Sequence, residues 1–241
     1  MNWDTLYNRS YTKYSGKPDA AVVVDEHNRL YPGVRIENIA FPDTISSEQA
    51  AIFSTLAAGS KPVRMYLKES SRIVHPLLDY WTDVFAMKVV VTETIPDLPV
   101  YDPVVSGVSD IAITLEELLD DAIVPYSQFP VSALLETDGG YIGGVNIECA
   151  DWRLGLCAER VAISKALSAG ITDLRALHVH TRYGEFSSPC GACRQVILEH
   201  MPDIPVYLHH ADHTCSVHKS HDLLPYSFRS STLLNRIHPD S

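Results

Sequence analysis

The first half of this 241-residue chain contains no cysteine; all five, Cys149, Cys157, Cys190, Cys193 and Cys215, lie in the second half. An odd, one-sided set argues against a disulfide framework and for thiolate chemistry in a reducing compartment, so a cytoplasmic location is expected. Basic residues are also scarce. Against 30 Asp and Glu there are 19 Lys and Arg, a net charge of −11. Nucleic-acid partners are therefore not expected, because binding a polyanion rests on basic patches that neutralise phosphates. No apolar run approaches the roughly 18 residues of a membrane helix, and no membrane association is expected. The opening Met1-Asn2-Trp3-Asp4-Thr5 lacks the basic and apolar regions of a secretory leader. What remains, 46% hydrophobic and 20% charged, is the composition of an ordinary globular protein, long enough for one large domain or two small ones.

Within the second half, three thiols and a carboxylate stand at an informative spacing. Cys190-Gly191-Ala192-Cys193 places two sulfurs one helical turn apart, and Cys157-Ala158-Glu159 supplies a third from upstream. Three protein ligands leave the fourth tetrahedral position of a zinc ion open, the arrangement of a catalytic site rather than a closed structural one. Glu159 follows the first ligand by two residues, near enough to exchange protons with a water there. Soft thiolates suit zinc over magnesium or calcium. Three of them bring three negative charges, which Arg160 or Arg194 could offset by charge-assisted hydrogen bonds. Helix N-termini at Cys157 and Cys190 would stabilise thiolates further. A structural zinc knot stays open as an alternative. Its fourth ligand could be Cys215 or one of His209, His210, His213, His218 and His221, a stretch that otherwise reads as a turn before Leu223.

The chain also repeats itself. The segments 33–59 and 144–170 align without a gap: Gly33-Val34 on Gly144-Val145, Glu48 on Glu159, Ala51-Ile52 on Ala162-Ile163, Gly59 on Gly170. Each copy predicts a helix (near 4–12 and 115–123), then a hairpin (20–24 with 30–37; 129–136 with 141–148). A helix (47–58; 157–168), a strand (63–67; 176–180), a second helix after Pro76 or Pro189 and a last strand (87–91; 206–209) follow. Strands alternating with helices imply the α/β class. The segment 93–109, with Pro96, Pro99 and Pro103, reads as a linker between a first domain, 1–92, and a second, 110–241. The first copy has Ser46 in place of Cys157, and Leu77, Leu78, Asp79 and Tyr80 after Pro76, so it reads as a degenerate copy without zinc ligands.

Taken in order, Pro125 to Phe129, Gly144 to Glu148, Cys157 to Arg160, Pro189 to Gln195 and Leu223-Leu224-Pro225 resemble the small, all-cysteine, tetrameric cytidine deaminases. The resemblance covers about residues 115–228. It implies two tandem three-layer α/β/α units, each with a central mixed sheet. It implies zinc-dependent hydrolysis of cytidine and 2′-deoxycytidine to the uridine forms, with release of ammonia. One zinc per chain would be held by Cys157, Cys190 and Cys193, with Glu159 as proton shuttle. It further implies that Asn146 and Glu148 bind the ribose hydroxyl, that Phe129 lines the pyrimidine pocket, and that the Ala158 N–H and Ser188 carbonyl meet the base. Arg160 would hydrogen-bond the thiolates, Gln195 would support the ligands from behind, and Phe228 would reach a neighbouring subunit's pocket. Because one chain already carries two units, a homodimer imitating the family tetramer is expected. Phe41, at the repeat position of Trp152, would contact a catalytic pocket. Departures from the family pattern (Ser132, Cys149, Asp151-Trp152) touch the pocket wall, with Cys149 read as a packed thiol. A deaminase of another aminopyrimidine nucleoside such as blasticidin S, or an inactive zinc-binding interaction module, are the alternatives.

Overall fold

In a computed structural model, which describes residues 1–69 and 76–227, the chain forms two α/β units, each built on a mixed sheet. The first contains α1 (Trp3–Arg9), β1 (Ala20–Asp25), β2 (Leu30–Val34), α2 (Ser47–Leu56), β3 (Pro62–Leu67), α3 (Leu78–Phe85) and β4 (Lys88–Val91). After a two-residue strand β5 (Val104–Val105), the second repeats the order as α4 (Ile111–Leu118), β6 (Val131–Thr137), β7 (Gly140–Val145), α5 (Ala158–Ala169), β8 (Leu174–Thr181), α6 (Gly191–His200) and β9 (Pro205–His209), and adds β10 (Cys215–Lys219). The sheets run β2-β1-β3-β4 and β10-β9-β8-β6-β7-β5. In both, the hairpin and its next neighbour are antiparallel, while β3–β4 and β8–β9 are parallel. The predicted repeat is thus present at the level of sheet topology.

Two glycines show how closely the copies correspond. A Cβ on Gly33 would lie 2.2 Å from the Ser47 carbonyl oxygen and 2.3 Å from the Ala51 nitrogen; on Gly144 it would lie 2.3 Å from the Ala158 carbonyl oxygen and 2.6 Å from the Ala162 nitrogen. In each unit the hairpin's second strand meets the central helix backbone to backbone, and only glycine permits that approach. The next residue outward, Gly143, faces Leu118 of α4 instead. The second sheet is therefore covered by α4 on one face and by α5 on the other. α3 joins α2 through Trp81, fully buried and edge-on to Phe53 at 5.9 Å.

Several boundaries differ from the sequence reading for local reasons. α4 starts at Ile111 because the Asp110 side chain accepts hydrogen bonds from the Ala112 and Ile113 amides. The hairpin strand starts at Val131 because Pro130 has no N–H for the ladder and the Asn146 side chain takes the Val131 amide. The stretch after His209 was expected to be a turn. It turns at 210–214 and then pairs as β10 with β9. Its alternating exposure is a strand period too short to stand out in sequence.

Within the proline-containing connection, Leu30 and Pro99–Tyr101 exchange backbone hydrogen bonds of 2.8 and 2.9 Å, and Val104–Val105 pair with β7. The connection thus lies along β2, which ends its sheet, and covers β7, which would otherwise end the other; unpaired edges invite association.

α2 and α5 pack against each other at the seam between units. Across it Arg160 Nη2 donates to the Asp43 carbonyl at 3.0 Å, and Gln49 Nε2 donates to the Leu154 carbonyl at 2.6 Å. Gln49 is the repeat partner of Arg160, and Asp43 of Leu154, so the contact is reciprocal, as across a two-fold axis. The second unit's Glu199 also binds the first unit, accepting from the Tyr11 and Tyr14 hydroxyls and the Ile39 amide at 3.0, 2.6 and 2.8 Å.

Candidate metal centre and active site

Cys157 is the N-cap of α5 and Cys190 the N-cap of α6. Each has an extended backbone; the Cys190 sulfur caps its helix, whereas Cys157 makes no capping hydrogen bond. One turn on, Cys193 is buried, and its amide donates to Cys190 Sγ at 3.5 Å. The three sulfurs lie within 4.8 Å of one another, and among the described residues no other His, Cys, Asp and Glu group gathers in this way. Two sulfurs bound tetrahedrally to zinc at about 2.3 Å stand roughly 3.8 Å apart; Cys157 and Cys190 stand 3.7 Å apart. The donor set fits zinc, a soft three-thiolate group that leaves one position for solvent or substrate.

Electrostatics separates the three thiols. Hydrogen bonds from Cys157, and then from Cys193 and backbone amides, hold Cys190 far below the usual thiol range, whereas Cys157 and Cys193 are pushed up by the hydrogen bonds among the three sulfurs and by burial. Glu159 is 2% exposed, and its Oε2 has no hydrogen-bond partner. Burial pushes its carboxyl up to about 7, with the nearby Cys190 adding to the rise. A buried carboxylate oxygen without a partner, next to a three-sulfur cluster, requires a proton or a ligand to satisfy it.

The remaining expected residues fall around this centre in different ways. Ala158 is fully buried at the first turn of α5. Ser188 precedes Pro189, and its hydroxyl accepts from Arg194 Nη2 at 2.6 Å. Arg194 further donates to the Pro189 and Leu223 carbonyls at 2.8 and 3.3 Å, so it braces the loop before Cys190 and gives no hydrogen bond to a sulfur. Arg160 donates across the seam to Asp43, and its Nε is buried without a partner. Gln195 is half-buried on α6. Asn146 accepts from the Val131 amide at 2.8 Å and donates to the Phe129 carbonyl at 2.9 Å; Glu148 accepts from the Tyr126 and Ser127 amides at 2.9 and 3.1 Å. Both side chains thus pin the loop that carries Phe129, whose ring is 38% exposed and 6.2 Å from that of Tyr183. Phe228 lies outside the described residues.

In the first unit α3 is capped by Leu77, where α6 has Cys190, and Tyr80 stands three residues on, where α6 has Cys193. Ser46 caps α2 in place of Cys157, accepting from the Gln49 amide at 3.3 Å. None of these three supplies a soft donor. Glu48, the repeat partner of Glu159, is buried with the Ser47 hydroxyl 3.3 Å away. Cys149 is buried, and burial pushes its thiol up to about 11, so it packs as a neutral group.

Two residues near the site carried no sequence signal. Asp43 comes from the other unit and feels both Arg160 and Cys190, with burial holding its carboxyl above the usual range. Tyr183, 53% exposed, faces Phe129. Neither belongs to a motif, and only the chain's return to the seam and to the β8–α6 loop places them here.

An open three-thiolate centre at the meeting of two helix N-termini, with a buried carboxylate beside it, defines the class of metal-dependent hydrolytic deaminases. Residues 110–208 match the family of the cytidine and deoxycytidylate deaminase zinc-binding region. A cytidine deaminase from Sporosarcina psychrophila is 48% identical over 91 residues, 37% of this chain and 67% of that protein. One from Halalkalibacterium halodurans is 42% identical over 116 residues, 47% of this chain and 88% of that protein. The crystal structure of cytidine deaminase from Burkholderia pseudomallei, 37% identical, matches with a TM-score of 0.46 over 48% of this chain and 94% of that one. The chain belongs to the cytidine deaminase family. No described helix is long and apolar enough to cross a membrane.

Proposed function

We propose that this protein deaminates cytidine and 2′-deoxycytidine to the uridine nucleosides, releasing ammonia, in cytoplasmic pyrimidine salvage. The observation that carries the reading is the unpartnered buried Glu159 oxygen beside the three gathered sulfurs. Cys157, Cys190 and Cys193 would hold one zinc per chain, in a catalytic domain spanning 110–241. When bound, zinc supplies the Lewis acidity that makes hydroxide available near neutral pH. Glu159 takes one proton of the attacking water and delivers it to the ring nitrogen beside the reacting carbon. It then takes the second from the new hydroxyl and passes it to the departing amine, so that the carbonyl forms as the carbon–nitrogen bond breaks and ammonia leaves. A proton shuttle of this kind contributes roughly 10²–10⁴-fold. The Ala158 amide and Ser188 carbonyl orient the base, Phe129 covers it, and Asn146 and Glu148 meet the sugar while holding the loop in place. Arg160 and Gln195 support the ligand set. Phe228 serves a neighbouring subunit's site.

In this reading the first domain, 1–92, with its linker 93–109, holds no zinc and completes the assembly. The reciprocal Arg160–Asp43 and Gln49–Leu154 contacts support its role as a built-in partner. Phe41 and Trp152, at equivalent positions, are 83% and 64% exposed, apolar surface of the kind that marks an interface. Two chains would then form a homodimer equivalent to a tetramer of units. The deciding experiment follows the loss of the cytidine chromophore in the ultraviolet for the zinc-loaded protein beside Glu159→Gln. Turnover by the first and not the second is expected; equal rates, or no turnover by either, would sink the assignment.

A further inference from the structure

Where α2 and α5 cross, the seam holds a cavity of about 290 Å³. Ser54 of α2 and Lys165 of α5, equivalent positions in the two units, both line it, with Arg9, Pro32, Tyr101 and Asp102. The cavity therefore straddles the pseudo-two-fold relation, with an ammonium on one side and a hydroxyl on the other.

Lys165 is 4% exposed. Its Nζ donates one hydrogen bond, 2.7 Å to the Gly143 carbonyl, and stands 5.7 Å from the centre of the Tyr101 ring. An ammonium has three donors, and no described carboxylate pairs with this one; Asp121 acts on it only at longer range. Burial lowers its pKa to about 8, the mark of a charge held in a poorly solvated place. Arg9 is the second cation. Its Nη1 donates to the Ser168 carbonyl at 3.0 Å, and its Nε lies where a Cβ on Gly170 would be 2.7 Å away. It too has no described carboxylate partner. Asp102, the one acid among the described residues that line the cavity, accepts at Oδ1 from the Val104 amide of its own loop at 3.0 Å. Tyr101 stacks on Tyr31 at 4.6 Å and, with Pro32, gives the cavity an apolar wall.

Lys165 carries a buried charge, which is tolerated mainly when paired, and among the described residues neither it nor the half-exposed Arg9 has a carboxylate partner, so one anion could serve both. A forked guanidinium and a compact ammonium together match a tetrahedral oxyanion. We propose that this seam cavity binds a phosphate group, as the free anion or on a nucleotide, through Lys165 and Arg9, and so clamps the two units together. None of these residues belongs to the thiolate centre, so binding can be read without reference to turnover.

The test is calorimetric titration of the full zinc-loaded chain with inorganic phosphate, against chloride at equal ionic strength. Saturable binding is expected. Arg9→Gln should weaken it at least about tenfold, the loss of one charge-assisted hydrogen bond, and Lys165→Met should abolish it. A nucleoside 5′-monophosphate titrated separately distinguishes the sources: tighter binding than phosphate assigns a nucleotide, equal binding the free anion. If Lys165→Met fails to fold by circular dichroism, Arg9→Gln, at a half-exposed helix end, decides alone. No saturable binding of either compound to the wild type, or unchanged affinity in Arg9→Gln, overturns the proposal.

Discussion

Glu159 and Cys190 owe their chemistry to position rather than to residue type. A glutamate in the first turn of a helix is ordinarily solvated; here it is enclosed beside three sulfurs with one oxygen unpartnered. Glu159→Gln preserves shape and removes the exchangeable proton. It should lower kcat by about 10²–10⁴-fold while metal analysis still finds zinc; a variant that retained the wild-type rate would dismiss Glu159 as the shuttle. Cys190→Ser replaces the thiolate that accepts from the Cys193 amide and neighbours Cys157. Zinc content should fall together with activity, because oxygen is a poorer ligand than sulfur for this soft set. Full zinc occupancy in that variant would exclude Cys190 as a ligand.

At the scale of elements, the hairpin–helix contact is the tightest structural feature. Gly144→Ala would drive a methyl into the Ala158 carbonyl and Ala162 amide and shift the helix that starts at Cys157. A loss of at least about 1–3 kcal/mol is expected, measured as a lower denaturant midpoint. Gly139→Ala, whose new Cβ would meet nothing nearer than 3.7 Å, should serve as the tolerant control. α6 contributes an acid sensitivity. Burial, with Lys13 adding to it, lowers the pKa of His200 to about 4, and its ring meets Tyr11 of the first unit edge-on at 4.5 Å. The unfolded chain takes up this proton near the usual imidazole value of about 6.5 and the folded one does not. Stability from this group is therefore complete above that value and is lost as pH falls toward 4. His200→Gln should flatten the fall in melting temperature between those limits; an unchanged slope would mean that His200 is protonated in the folded state.

For the whole molecule the question is how two units share one chemistry. Metal analysis should return about one zinc per chain, since the first unit presents Ser46, Leu77 and Tyr80 at the ligand positions, none of which is a thiolate, imidazole or carboxylate donor. A value near two would refute the degenerate-copy reading. Light scattering should give twice the 26.7 kDa chain mass, with Phe41→Ser and Trp152→Ser shifting the distribution toward single chains. A fully active monomer would rule out the proposed dimer.

Much of this was legible in the linear order of residues. The repeat, the strand–helix alternation and the three-cysteine spacing are local patterns, and local patterns survive without tertiary context because helix and strand periods are set by the backbone. Cys157 and Cys190 could be read as helix-start ligands for the same reason. Other features depended on folding. Arg160 was expected at the thiolates and is found donating to Asp43 across the seam; Arg194 spends its guanidinium on the loop before Cys190. β10 was missed because its pairing with β9, rather than its composition, makes it a strand. The reciprocal seam, the strap of the connection along both sheets and the Lys165–Arg9 cavity join residues far apart in the chain. Such contacts are chosen by which faces pack together, and no spacing along the chain encodes that choice.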